Sequence, residues 1–257
     1  MKAIINADDC GISQRVDLEI RRFIEQGLIS STTVMSNMND FDGACQLYND
    51  FHNDISFGIH FNLTEGTPLC YSQLLLDSGY YTEKDNSIIF NEKHFDYNNL
   101  TKEMKVEIRK ELTMQLQKLL DYGFVLSHFD SHRHVHFHRQ ILSTFCKVAN
   151  DFRVTKFRRY TNISETIEDK LRASLWRSLA FIGNYRLKTT DFFCGATSFM
   201  QILKDCKQKN DSIYEVMCHP GHEGKEYVKE NILIYNELKQ LLVKNNVLLK
   251  NYNNYID

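Results

Sequence analysis

Short apolar runs alternate along the chain with longer segments in which apolar residues recur every three or four positions. The first run, residues 2–7 (KAIINA), predicts a buried β-strand. The segment 14–26 places Val16, Ile20 and Ile24 on one helical face, which is typical of an amphipathic helix packed on a core. A strand followed by a helix is therefore the first structural unit that the pattern predicts.

The same pattern predicts further strands and helices in alternation to the end of the chain. Strands are predicted at 29–36, 55–60, 124–129, 153–157, 187–192, 213–218 and 247–252, and helices at 40–52, 101–121, 138–150, 164–183, 197–209 and 226–245. Strands separated by helices favour parallel pairing with right-handed crossovers. About seven such units predict an α/β fold, namely a regular or irregular TIM-like (β/α) barrel. A doubly wound open sheet is the alternative.

Residues 71–100 do not follow this alternation. The stretch is polar and rich in Tyr, Asp and Asn, with a small apolar island at residues 88–90. We expect an excursion from the barrel here, either a lid, an oligomer contact that would be compatible with a homodimer, or a variable surface loop. No linker or internal repeat divides the chain, so we expect one domain over residues 1–257.

The composition excludes several classes of protein. Of the 257 residues, 42% are hydrophobic and 25% are charged, which is too apolar for general disorder. Because 31 Lys and Arg residues nearly balance 33 Asp and Glu residues, there is no bulk basic surface for nucleic acid or anionic membrane. No apolar run approaches the roughly 18 residues that a membrane-spanning helix needs. We expect neither nucleic acid nor a membrane as a partner.

The cysteines and the first residues both favour a cytoplasmic location. Seven cysteines are scattered without a C-x-x-C pair, which indicates reduced thiols and not a disulfide framework or a structural zinc site. The initial sequence MKAIINADDCG has neither the long apolar segment nor the cleavage site of a secretory signal.

Side chains that suit acid–base chemistry or metal binding stand at the ends of predicted strands. Asp8 and Asp9 follow the first strand, His60 ends the third, and His219 follows a later strand within the sequence CHPG. Because the carboxyl ends of parallel strands open on one face, we expect these side chains to converge. Each has an ordinary structural alternative: an Asp in a turn or a helix cap, or a His satisfied within the core.

Half of the ten histidines lie in the sequence SHFDSHRHVHFH at residues 127–138. His132, His134, His136 and His138 alternate with other residues, so an extended segment would turn their side chains to one face. Such a row beside Asp130 predicts a metal site, because two imidazoles and one carboxylate form a ligand set with open positions. A surface tract without function is the alternative.

Four motifs together resemble those of the YdjC-like carbohydrate deacetylases, which include chitooligosaccharide deacetylases that act on acetylated chitobiose. The motifs are NADDCG at 6–11, GIHFNLTEG at 58–66, HFDSHRHVHFH at 128–138 and CHPG at 218–221. Cys10 stands where the family usually has Phe, a departure that removes no ligand. The resemblance implies a TIM-like barrel with one divalent metal ion.

The resemblance also implies roles for individual residues. Carried over by position, Asp9, His60 and His132 would bind the metal, while Asp8 would act as general base and His219 as general acid. The family commonly has Mg²⁺, whereas two imidazoles and a carboxylate suit Zn²⁺ or another transition ion, so both stay open.

Three further steps of the expected chemistry follow from amide hydrolysis itself. The metal would lower the pKa of water and polarise the acetyl carbonyl, Asp8 would take the proton of that water, and His219 would protonate the leaving amine. Asp130 would orient a ligand histidine. We assign His134 and His136 to substrate contact or to support of the ligands, and Arg158, in the basic stretch KFRRY, to steering a carboxylate or a sugar hydroxyl.

We therefore expect a metal-dependent hydrolase that removes an N-acetyl group from a short acetylated oligosaccharide such as diacetylchitobiose. One alternative is another metal-dependent amidohydrolase or a phosphoesterase on the same barrel. A phosphoesterase would favour a basic or Gly-rich phosphate cradle, and only the KFRRY stretch adds positive charge. The other alternative is a sugar- or metal-binding protein without activity.

Overall fold

Strands and helices alternate along the described part of the chain. A computed structural model describes residues 1–91, 97–160, 187–207, 209, 211–222 and 232–255. The strands are β1 (Lys2–Cys10), β2 (Ser31–Val34), β3 (Ser56–Phe61), β4 (Tyr81–Lys84), β5 (Ser87–Phe90), β6 (Phe129–Ser131), β7 (Phe192–Gly195), β8 (Ile213–Cys218) and β9 (Leu248–Leu249). The α-helices are α1 (Gln14–Glu25), α2 (Phe41–Phe51), α3 (Gln73–Asp77), α4 (Lys102–Tyr122), α5 (Leu142–Asp151), α6 (Ala196–Lys204) and α7 (Ile232–Lys244). None of these helices is both long and apolar enough to cross a membrane.

A curled parallel sheet forms the centre of the α/β fold. Its strands follow the order β6-β3-β2-β1-β8-β7, and β9 also pairs with β1. The strand β1 is central, and every residue of it after Lys2 is buried. Isolated parallel bridges, Phe129 to Phe157 and Lys156 to Lys188, continue the sheet beyond β6. The stretch 188–195 thus pairs with Lys156 at its start and with β8 further along, and the sheet curls into a half-barrel.

The first half of the predicted element order is confirmed. Strands β1 to β3 and helices α1, α2 and α4 lie where the apolar periodicity predicts them, except that β1 runs to Cys10 and so contains Asp8 and Asp9, which were expected after the strand. Helix α4 begins after Thr101, whose side chain accepts a hydrogen bond from the Met104 backbone N–H. It ends before Gly123, which has φ of 108°, a left-handed conformation that favours glycine because glycine has no Cβ. Helix α5 begins four residues later than predicted, because residues 132–137 form a 3₁₀ helix first.

Two predicted strands at one edge of the sheet are shorter than expected or shifted. The strand predicted at 124–129 covers Phe129–Ser131, because the buried ring of Phe124 packs 4.1 Å from that of Tyr48 instead of entering the ladder. The segment predicted at 153–157 pairs only through its last two residues. An apolar run therefore indicates burial, and it does not distinguish a strand from a packed loop.

The later predictions need similar corrections. The strand predicted at 187–192 lies at Phe192–Gly195, and the one predicted at 247–252 is reduced to Leu248–Leu249. The last residue of the predicted run, Tyr252, leaves the ladder and is fully buried elsewhere in the core. The helix predicted at 197–209 ends at Lys204, and the described part of the last helix is Ile232–Lys244. The helix predicted at 164–183 lies outside the described residues.

The excursion at 71–100 is partly folded onto the core. It contains α3 and an antiparallel hairpin of β4 and β5, with Asp85 and Asn86 in left-handed conformations at the turn. Leu75, Tyr81 and Phe90 from this stretch are buried in the main core cluster. A role as a lid or an oligomer contact stays a prediction.

A buried carboxyl group holds the turn that ends β1. Gly11, with φ of 90°, donates its N–H to Asp17 Oδ1 over 2.7 Å, and a Cβ there would lie 3.0 Å from the Met35 carbonyl oxygen. No donor among the described residues reaches Asp17 Oδ2, and the Asp40 carboxylate lies beside it. Burial, together with Asp40, raises the pKa of Asp17 from 3.8 to about 7, although the Gly11 N–H opposes the shift.

We predict that Asp17 makes the free energy of unfolding fall as pH rises from about 4 to about 7. The folded state binds the proton more tightly than the unfolded state, so the stability is present at low pH and is lost as Asp17 ionises, with a span of roughly 2–4 kcal/mol. Asp17→Asn keeps an acceptor for Gly11 and adds a donor for Asp40, so it should remove most of this pH dependence.

Urea unfolding at pH 5 and pH 8 measures the effect. Asp42→Asn, at an exposed position of α2, is the matched control and should show the same change in the free energy of unfolding between the two pH values as the unsubstituted protein. The same change in Asp17→Asn would contradict the prediction.

Candidate active site

A polar cavity of about 500 Å³ opens at the carboxyl ends of the strands. Nine of its lining residues are acids, histidines or arginine, which come from β1, β3 and the segments after β3, β6 and β8: Asp8, Asp9, His60, Glu65, His132, Arg133, His134, His219 and His222. The predicted convergence of distant segments on one face is thus present in the fold.

Asp8 and Asp9 both face this cavity, although they are consecutive residues of β1. Successive side chains of a regular strand point to opposite faces. Here the pairing of β1 with β2 is irregular between Ala7 and Cys10, and Asp9 takes a left-handed conformation with φ of 67°. Such a conformation costs a non-glycine residue of the order of 1–3 kcal/mol. This strained bulge turns two adjacent carboxylates towards the same site.

Asp9 lies at the centre of a cluster of imidazoles. Its Oδ1 is 3.0 Å from His60 Nε2 and 2.8 Å from His132 Nδ1, and its Oδ2 is 3.1 Å from His222 Nε2. Burial alone would raise the pKa of Asp9, but His132, His222 and His60 hold it well below its ordinary value. Asp9 is therefore ionised at neutral pH.

Each of the two nearest imidazoles has a second carboxylate on its far nitrogen. His60 Nδ1 lies 2.6 Å from Asp130 Oδ1, and His132 Nε2 contacts Glu65 Oε1. Burial opposes the protonation of both rings, but the carboxylates raise the pKa of His60 to about 10 and that of His132 to about 9. The carboxylates of Asp9, Asp130 and Glu65 therefore carry negative charge that must be neutralised. Protons on the two rings or a bound cation can neutralise it.

The donor atoms of Asp9, His60 and His132 could hold a metal ion, since they lie within 4.8 Å of one another. Histidines that bind metals usually donate their other ring N–H to a carboxylate or a carbonyl, and both rings have a carboxylate in that place. The residues therefore fit a divalent ion, and their nitrogen donors suit a transition ion better than Mg²⁺. A second group, Asp8, His60 and Asp130, has similar spacing.

The second group is already neutralised by a buried arginine. Arg158 is fully buried and donates two parallel hydrogen bonds to Asp8, with Nη1–Oδ2 at 2.6 Å and Nη2–Oδ1 at 2.7 Å. The same Nη1 lies 2.8 Å from Asp130 Oδ2, and Nε donates to Glu215 Oε1 over 2.6 Å. Burial would raise the pKa of Asp8, but the Arg158 guanidinium holds it well below its ordinary value.

His219 stands at the other side of Asp8. Its Nε2 lies 4.0 Å from Asp8 Oδ2, and 15% of its side chain is exposed. The ring meets that of His222 edge to face, with centroids 5.7 Å apart. A proton donor at this position would be accessible from the cavity and close to the carboxylate of Asp8.

The predicted row of histidines on one face is wrong. Residues 132–137 are a kinked 3₁₀ helix in which Arg133 and His134 have positive φ of 51° and 54°, so the side chains diverge. His132 points to Asp9, His136 is buried with Nδ1 2.6 Å from Ser131 Oγ, and the exposed His138 stacks on Tyr97.

Two members of this segment sit behind or beside the cavity. His136 Nε2 lies 3.2 Å from the Arg158 carbonyl oxygen, so this ring supports the backbone that carries the guanidinium. His134 lines the cavity and stacks on Phe137, and burial lowers its pKa to about 3. Because His134 has a neutral ring at the cavity wall, we interpret it as a substrate contact. His136 instead supports the backbone of Arg158.

The loop that carries Glu65 is held by two buried polar side chains of α4. Gln115 Oε1 accepts from the Asn62 N–H at 2.9 Å, and its Nε2 donates to the Asn62 carbonyl at 2.6 Å. Glu111 accepts from the backbone N–H groups of Leu69 and Cys70, at 3.1 and 2.6 Å. These bonds fix both ends of the loop and therefore the place of Glu65.

Comparison with known proteins decides the family. The profile of the YdjC-like protein family matches residues 2–246. The chain belongs to the YdjC-like protein family. Two curated relatives, both named carbohydrate deacetylase, extend over nearly the whole of this YdjC-like chain. The one from Brevibacillus brevis is 32% identical over 94% of each chain. The one from Clostridium beijerinckii is 28% identical over 94% of this chain and 90% of its own.

A solved structure has the same fold as this YdjC-like protein. It is described as a putative cellobiose-phosphate cleavage protein from Enterococcus faecalis V583. The two share 21% sequence identity with a TM-score of 0.74, and the match covers 98% of this chain and 97% of the other. At this identity the likeness concerns the fold alone.

Sequence reasoning missed four ionisable residues in or beside the YdjC-like site: Glu65, Arg133, Glu215 and His222. Glu65 lies inside the GIHFNLTEG motif, five residues after His60, and His222 follows His219 by three residues. Glu215 interrupts the apolar run IYEVMC of β8, and a charge in a buried strand is itself a signal, since buried acids are almost always paired. The side chains expected at the site, Asp8, Asp9, His60, His132, Asp130, Arg158 and His219, do lie together, whereas their chemical roles stay predictions.

We predict that Glu65 raises the metal affinity of this YdjC-like protein by orienting His132. Removing the charge in Glu65→Gln should lower the affinity for Zn²⁺ or Co²⁺ about 10- to 100-fold, because a neutral amide is a poorer acceptor for the far imidazole N–H. Calorimetric titration of chelator-treated protein measures the affinity.

The matched control is Glu83→Gln, an exposed position of β4 away from the cavity. It should bind one ion per chain with unchanged affinity. Equal affinities for Glu65→Gln and the control would show that the Glu65 contact does not serve a metal site.

Proposed function

We propose that this protein is a metal-dependent carbohydrate deacetylase that hydrolyses the N-acetyl group of a short amino-sugar oligosaccharide such as diacetylchitobiose. The observation that carries the proposal is that three possible metal ligands and an ionised carboxylate line the same cavity. Asp9, His60 and His132 could hold a cation, and the ionised Asp8 lies next to them. The names of the curated relatives supply the substrate class.

The proposed ligands are Asp9, His60 and His132, with Asp130 and Glu65 as the carboxylates that orient the two rings. A divalent ion bound there would lower the pKa of the attacking water and polarise the acetyl carbonyl. The nitrogen donors favour Zn²⁺ or a similar ion, and Mg²⁺ is the choice by resemblance to the family.

Asp8 is the proposed general base. The two hydrogen bonds from Arg158 fix the plane of its carboxylate and keep it ionised, so that it can accept a proton from the attacking water. Its low pKa makes Asp8 a weak base. A weak base is sufficient if a bound ion has already lowered the pKa of the attacking water. Because Arg158 is fully buried, it acts on Asp8 and does not contact the sugar.

His219 is the proposed general acid for the leaving amine. The turn Pro220–Gly221 follows it directly, and Gly221 has φ of 77°. A Cβ at Gly221 would lie 3.0 Å from Val16 Cα, so the turn packs closely on α1 and fixes where His219 projects. Its partial exposure gives it access to a substrate in the cavity.

The sheet supports the fold that we propose for the whole chain. Because residues 188–195 pair with both Lys156 and β8, we propose an irregular TIM-like barrel, built by one domain over residues 1–257. The basic stretch KFRRY does not support a phosphoesterase, since Arg158 from this stretch is bound to three carboxylates.

We predict that the metal-loaded protein releases acetate from diacetylchitobiose, and that Asp8→Asn lowers kcat about 10²- to 10⁴-fold, because the amide cannot accept the proton. Bound metal should stay near one ion per chain in Asp8→Asn, since Asp8 is not among the proposed ligands. Treatment with a chelator should abolish acetate release, and adding Zn²⁺ or Mg²⁺ should restore it and identify the ion.

The assay uses chitobiose, chitotriose and monomeric N-acetylglucosamine in acetylated form, with elemental analysis of the same samples. Asp77→Asn, exposed at the end of α3, is the matched control and should be fully active. No acetate from any of these sugars would defeat the substrate assignment. Full activity in Asp8→Asn would remove the base, and several ions per chain without turnover would indicate metal storage.

A further inference from the structure

His222 contacts the cluster in a way that none of the roles above uses. Its Nε2 lies 3.1 Å from Asp9 Oδ2, and only 14% of its side chain is exposed. The two oxygens of Asp9 thus have different partners: Oδ1 faces the proposed ligands His60 and His132, and Oδ2 faces His222.

The backbone before His222 places it firmly. Gly221 has a left-handed φ of 77°, and a Cβ there would lie 3.0 Å from Val16 Cα and 3.1 Å from the Arg15 carbonyl oxygen. A close approach to the backbone of α1 is therefore possible only because residue 221 is glycine. His222 is held against Asp9 by a turn that packs on a helix.

His222 Nε2 lies close to Asp9 Oδ2, but this contact does not meet hydrogen-bond geometry in the structure. We propose that, when the ion is bound, His222 is a positioning residue whose Nε2–H donates to Asp9 Oδ2 and so keeps Asp9 a one-oxygen ligand. This inference rests on the metal site of the proposed function. A carboxylate can bind a cation through one oxygen or through both, and a hydrogen bond to the second oxygen favours the first mode. The coordination position that Oδ2 would otherwise take then stays open for water or the acetyl oxygen.

The test compares His222→Ala and His222→Gln in the Co²⁺-loaded full-length protein. X-ray absorption at the cobalt edge counts imidazole ligands and separates one-oxygen from two-oxygen carboxylate binding. We expect two imidazoles in the unsubstituted protein and in both variants. His222→Ala should shift Asp9 to two-oxygen binding and lower kcat about 10- to 100-fold with little change in KM.

The glutamine variant separates hydrogen bonding from ligation. Its side-chain amide can donate to Asp9 Oδ2, so His222→Gln should keep one-oxygen binding and stay within about threefold of the original kcat, as the small net energy of one hydrogen bond allows. His52→Ala, at an exposed position on the far end of α2, is the control for loss of a histidine and should leave both readouts unchanged.

Loss of one imidazole ligand in both His222 variants would overturn the proposal, because it would make His222 itself a ligand. An unchanged cobalt spectrum and kcat in His222→Ala would also overturn it. Failure of the proposed function is distinguishable: it would appear in the unsubstituted protein, as cobalt bound without imidazoles or as absent acetate release.

Discussion

The site depends on one buried cation, the guanidinium of Arg158, and on the three carboxylates that surround it. Arg158 bonds to Asp8, Asp130 and Glu215, and all four groups are buried. An isolated buried carboxylate costs several kcal/mol. Removing the cation would leave Asp8 without its main counter-charge and would take one partner from Asp130 and one from Glu215. The planar fork of arginine offers five N–H donors, which a lysine could not arrange in the same way.

This cluster connects Asp8, the proposed general base, with the proposed metal ligands. Asp130 Oδ2 forms an ion pair with Arg158 Nη1 at 2.8 Å, and its Oδ1 lies 2.6 Å from His60 Nδ1, so one carboxylate contacts both groups. On the other side, Glu215 Oε2 accepts from the Tyr252 hydroxyl over 2.6 Å. This hydrogen bond ties the segment after β9 to the sheet. The ion pairs that hold Asp8 therefore also stabilise the packing of that segment. The left-handed conformation of Asp9 and the burial of charge are costs that such a network offsets.

The sequence was sufficient to predict β1, β3 and β8, three of the strands that position the site, but it placed the strand before His132 about five residues too early and said little about the contacts. Asp9, His60 and His132 converge because strand ends of a parallel sheet meet on one face, a rule that needs only the order of elements. The divergence of the histidine row could not be foreseen, because it depends on positive φ at Arg133 and His134, which nothing in their side chains requires. Arg158 lies in a stretch that looks like a solvated charge run, and its burial follows only from the acids that β1, β6 and β8 bring to it. Glu65 and His222 depend on loop conformations that hydrophobic periodicity does not encode.

Anomalous X-ray diffraction at the absorption edge of the bound metal, on crystals of the metal-loaded protein, tests the proposed metal site most directly. We predict one anomalous peak within about 2.0–2.3 Å of donor atoms from Asp9, His60 and His132, with the Arg158 guanidinium still between Asp8 and Asp130. A peak among Asp8, His60 and Asp130 with Arg158 displaced, or no peak in the cavity, would contradict it.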